Sequence, residues 1–63
     1  MSGVIIIKNG FNQTQADLAK QVLQQAAISC DIRIQQEAII VNGTNDEIIK
    51  AKELLNQNGF ELI

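Results

Sequence analysis

Histidine, proline, tryptophan and tyrosine are absent from this chain, and cysteine and methionine occur once each. Without histidine, and with Cys30 as the single thiol, one copy cannot assemble the imidazole and thiolate clusters that hold structural zinc or copper. A lone cysteine also excludes an intramolecular disulfide and fits a reducing, cytoplasmic compartment. The missing histidine removes the side chain that most often moves protons near neutral pH. Phe11 and Phe60 are the only aromatics, too few for the stacking platforms that bind RNA on a sheet. Lys8, Lys20, Arg33, Lys50 and Lys52 are scattered, and the formal net charge of -2 leaves no basic face for a phosphate backbone. Composition therefore argues against nucleic acid as a partner. The first apolar run, Val4 to Ile7, has no basic residues before it and is too short for a signal peptide or a membrane span.

What remains is a 63-residue chain that is 46% hydrophobic, enough for one domain, residues 1–63, with one small core. Val4-Ile5-Ile6-Ile7 is β-branched throughout and reads as a strand, with Lys8-Asn9-Gly10 as the turn after it. A helix follows from Asn12 to Thr14 onward. Either Asn12 or Thr14 caps it, and Thr14-Gln15-Ala16-Asp17 approximates a capping box. Leu18, Ala19, Val22, Leu23, Ala26 and Ala27 supply its apolar stripe. From Ile28 to Gln35 the period changes to two: Cys30, Ile32 and Ile34 alternate with Ser29, Asp31 and Arg33, as in an edge strand buried on one face. Gln36-Glu37 links this strand to Ala38-Ile39-Ile40-Val41 in an antiparallel hairpin. Thr44-Asn45-Asp46-Glu47 is a full capping box for a second helix, whose apolar face is Ile48, Ala51, Leu54 and Leu55. Asn58-Gly59 ends that helix, with Gly59 at positive φ, and Phe60 to Ile63 form a last strand.

The order is β-α-β-β-α-β. It predicts an α+β, ferredoxin-like domain: a four-stranded antiparallel sheet with both helices on one face and the first and third strands central. In that order and size, in Gly10-Phe11 where the family has Gly-Met, and in the ending Asn58-Gly59-Phe60-Glu61, the chain resembles the heavy-metal-associated domain of copper chaperones and metal-transporting ATPases. The resemblance spans nearly the whole chain and implies the fold. It does not carry copper binding, because Gln13 and Ala16 stand where that family has the cysteines of its C-x-x-C motif. A second, local resemblance joins Lys50-Ala51-Lys52-Glu53-Leu54-Leu55 and Asn58-Gly59-Phe60 to the first helix and second strand of glutaredoxins. That family's redox cysteines precede the helix, where this chain has Asn45, Asp46 and Glu47.

No catalytic residue, metal ligand or cofactor site is expected. Asp17, Asp46 and Glu47 are accounted for by helix starts, and Asp31 and Glu61 by outward positions on strands. The informative feature is that neither apolar run of the central strands alternates, although one face of a two-layer sheet should meet water. If Ile5, Ile7, Ile39 and Val41 face the helices, then Val4, Ile6, Ala38 and Ile40 face outward; the opposite register exposes an equally apolar set. Either way an aliphatic patch is uncovered, which marks an interface. The expected function is a non-catalytic protein-interaction module, an adaptor or inhibitor, with Val4, Ile6, Ala38 and Ile40 as its face. Its partner would be another protein or a second copy in a face-to-face homodimer, because oligomerisation is the remaining way to support so small a core. Asn12, Gln13 and Gln15 form a secondary interface. The alternatives are a metal-handling domain that has lost its cysteines and, less favoured, an RNA-binding sheet.

Overall fold

A computed structural model describes residues 2–8 and 10–63 of the chain. Asn9, assigned from the sequence to the turn after the first strand, lies outside the described residues. The elements are β1 (Ser2–Ile6), α1 (Gln13–Gln25), β2 (Ser29–Arg33), β3 (Ala38–Asn42) and α2 (Asn45–Gln57). They make an α+β fold in which three antiparallel strands lie in the order β1-β3-β2. Runs of Ile and Val build β1 and β3 because branching at Cβ disfavours the helix and packs well on a pleated surface. β3 occupies the middle, and Ile39 and Val41 on it are wholly buried.

The expected fourth strand is reduced to a single antiparallel bridge between Ile7 and Leu62. Two hydrogen bonds flank it: Lys8 N–H donates to the Glu61 carbonyl at 2.8 Å, and Ile63 N–H to the Ile6 carbonyl at 3.0 Å. The reason lies at the preceding residue. Phe60 N–H is committed to the Leu55 carbonyl at the end of α2, at 3.0 Å, and its ring is buried, so the backbone reaches ladder geometry only from Glu61 onward. The second strand is also shorter than expected. Ile28 closes the end of α1, and Ile34 enters the hairpin turn, where its carbonyl accepts the Glu37 N–H at 3.0 Å with Glu37 at φ 53.

Each helix begins with a reciprocal cap. The Asn12 side chain accepts the Gln15 N–H at 2.9 Å, and Gln15 Oε1 accepts the Asn12 N–H at 3.2 Å. The box at the start of α1 is therefore Asn12–Gln15 rather than Thr14–Asp17. Asn12 prevails because its backbone is extended, at φ -106 and ψ 179, the cap conformation, while Thr14 is already helical. At α2 the expected box is present: Thr44 Oγ1 accepts the Glu47 N–H at 3.2 Å, and Glu47 Oε1 accepts the Thr44 N–H at 2.9 Å.

Both helices end in one motif. In α1, Ala27 N–H donates to the Gln24 carbonyl and Ile28 N–H to the Leu23 carbonyl; in α2, Gly59 N–H donates to Asn56 and Phe60 N–H to Leu55. This pairing requires a left-handed residue just past the helix. Gly59 supplies it at φ 89 and Ala27 at φ 58. The apolar residue that follows each, Phe60 or Ile28, turns into the core.

That core unites Ile5, Ile7, Ile39 and Val41 of the sheet side with Ala16, Ala19 and Leu23 of α1 and Ala51 and Leu55 of α2. Phe11 and Phe60 close one end edge-to-face, with ring centroids 6.4 Å apart and an interplanar angle of 67°. Gly3 permits α2 to press on β1: a Cβ there would lie 2.8 Å from Cδ1 of Ile48.

Candidate interaction surface

The helices cover one face of the sheet and select the register that the sequence left open. Ile5 and Ile7 point to the helices, at 1% and 3% exposure. Val4, Ile6 and Ile40 then point to the opposite, open face, because successive side chains on a strand alternate. The pairing register aligns them in rows, Val4 with Ile40 and Asp31, and Ile6 with Ala38 and Arg33. Val4 is 60% exposed and Ile6 37%, while Ile40 is half-buried.

Ala38 departs from the expectation. It belongs to the open face by alternation yet is only 4% exposed, because its methyl is recessed between the larger Ile6 and Arg33 beside it. Ile63, which was not among the expected face residues, joins the patch through its hydrogen bond to Ile6 and is 83% exposed. The signal for it was alternation from Glu61, expected to face outward, which sets Ile63 two residues on along the same face. Asp31 and Arg33, both exposed, form the charged border of the patch on β2.

The amides at the start of α1 lie on the helix side and are not continuous with this face. Asn12 and Gln15 are committed to the cap, and Gln13 Nε2 donates to Asp17 Oδ1 at 2.8 Å. Ala16 is buried in the core. Among the described residues, no three of His, Cys, Asp and Glu gather in a group suited to a metal ion.

Cys30 is half-buried in a groove of ≈ 320 Å³ between α1 and β2, lined also by Gln13, Asp17, Lys20 and Ile32. Burial pushes its thiol pKa up; Lys20 opposes the rise and Asp31 adds to it. A raised pKa lowers the thiolate fraction, so the environment does not activate the sulfur. Both aromatic rings are buried in the core. No described helix is long and apolar enough to cross a membrane. The strongest chemistry that the open face offers is therefore burial of aliphatic surface, bordered by one acid and one base. No protein-family model matches this chain, and no curated protein or solved structure matches it either.

Proposed function

We propose that this chain is a small protein-interaction module that works by surface complementarity, without catalysis, through the open face of its sheet. The observation that carries the reading is the exposure of Val4, Ile6 and Ile63 beside half-buried Ile40 on one contiguous face. Each such side chain, once fully removed from water, contributes roughly 1.5–3 kcal/mol. A cluster of them marks a contact surface, whereas apolar residues scattered singly need no explanation. The partner that fits is a protein presenting its own aliphatic surface. We read the architecture as ferredoxin-like, with the fourth strand shortened to the bridge at Leu62. The reading extends to a cytoplasmic setting, from the single free thiol.

The test is affinity capture from the native host with the wild-type chain, Val4→Lys and Ile49→Lys. Ile49 is equally apolar and exposed but lies on α2, away from the sheet. A protein retained by the wild type and by Ile49→Lys, and lost with Val4→Lys, is the expected result. Equal retention by all three would remove the open face from the function.

A further inference from the structure

We infer that the free edge of β2 pairs with β2 of a second copy of this chain, antiparallel about a two-fold axis at Ile32, joining two three-stranded sheets into one. The inference rests on a different surface from the open face, and it stands or falls separately.

The hydrogen-bonding direction of β2 follows from the ladder. Ile7 N–H donates to the Glu37 carbonyl at 2.7 Å, in register with the pairing of β1 and β3. Residues 37, 39 and 41 therefore turn their backbone groups toward β1, and 38, 40 and 42 turn theirs toward β2. By the same alternation Ser29, Asp31 and Arg33 bond to β3. The N–H and C=O of Cys30 and Ile32 are left pointing away from the sheet, and no described strand lies beyond them. An edge of this kind is a template for another strand. Concavities of ≈ 320 Å³ and ≈ 300 Å³ border it, one against α1 and one beside the hairpin turn.

Charge selects the occupant and the register. Charged residues on an edge strand ordinarily oppose pairing, but here Asp31 and Arg33 have opposite signs and lie two residues apart. With the axis at Ile32, Asp31 of each copy stands directly opposite Arg33 of the other, twice over. These are non-hydrogen-bonded positions, where facing side chains come closest. On the helix side Ile32 meets Ile32, and the paired stretch ends where the hairpin turn begins at Ile34. An axis at Asp31 sets acid against acid, and an axis at Arg33 sets base against base. Of these registers the axis at Ile32 is the one that sets opposite charges face to face, and the contact it makes is isologous. The dimer leaves both open faces uncovered and places them side by side on one surface.

Sedimentation and circular dichroism on single and paired charge reversals test this. The wild type should dimerise reversibly. Asp31→Arg and Arg33→Asp, at exposed positions, should each remain folded and weaken the dimer on the order of tenfold, because each sets two like pairs face to face. The double variant should recover the wild-type affinity, and Ile6→Lys should leave it unchanged. Amide exchange at Ile32 should slow as concentration rises. A monomeric wild type at millimolar concentration, a double variant no tighter than the single ones, or loss of the dimer in Ile6→Lys would each overturn the inference, the last by moving the contact to the open face. None of these results bears on capture of a different protein by Val4.

Discussion

Replacing Ala27 with glycine should stabilise the protein. Ala27 is an L-residue held at φ 58 immediately past α1, in the position that Gly59 fills after α2 with the same pair of hydrogen bonds. The left-handed conformation costs an ordinary L-residue roughly 1–2 kcal/mol through crowding of Cβ against the backbone. Glycine escapes that cost but brings a freer unfolded chain, which takes back about 0.4–1 kcal/mol. The Ala27 side chain is exposed, so no packing is lost with its methyl. The net gain is about 0.5–1 kcal/mol, which in a domain of this size raises Tm by about 3–6 °C. The mirror exchange, Gly59→Ala, should cost a similar amount. A Cβ at Gly59 would meet nothing within 4 Å, so its cost is purely conformational. Thermal melts followed by circular dichroism measure both. An Ala27→Gly melt at or below the wild-type temperature would refute the reasoning.

Thr44→Ala should cost about 1 kcal/mol in urea unfolding, since it removes the oxygen that accepts the Glu47 N–H while sparing the apolar face of α2. Ile7→Lys should unfold the chain: it forfeits roughly 1.5–3 kcal/mol of apolar burial and forces an ammonium into the core, against a total stability of about 3–9 kcal/mol for 63 residues. Its neighbour variant Ile6→Lys should remain folded by circular dichroism, and equal damage from both would contradict the assigned faces. Because burial lifts the Cys30 pKa above the ordinary 9.0, the folded state keeps that proton longer than the unfolded chain. Its contribution to stability is full below pH 9.0 and declines as pH climbs through the folded value; Cys30→Ala, compared by urea titration across that range, should lack this decline.

Much of the fold was legible because it rests on local chemistry. Thr44 and Glu47 announce their cap by spacing, Gly59 its turn by lacking a Cβ, and Cys30 and Ile32 their half-buried strand by alternation. The end of α1 was not legible in this way. Ala27 is an ordinary helix former, and nothing in its identity marks a left-handed residue; it is held there by the burial of Ile28, which pulls the chain back over Leu23. Asn12 over Thr14 is a choice of the same kind, between two good caps one helical step apart in merit.

By itself, the sequence determined the two helices and three of the four strands it predicted, that their apolar residues exceed what one sheet face can hide, and that one copy forms no internal disulfide. Those conclusions follow from residue chemistry and short-range periodicity, and no contact between distant segments is needed to reach them. Tertiary structure alone decided which of Ile6 and Ile7 meets water, that Ala38 is recessed, and that Leu62 contributes one bridge in place of a strand. A run of four β-branched residues has no polar face to set its own register, so the register is fixed by whichever side the helices cover, and that depends on how α1 and α2 pack.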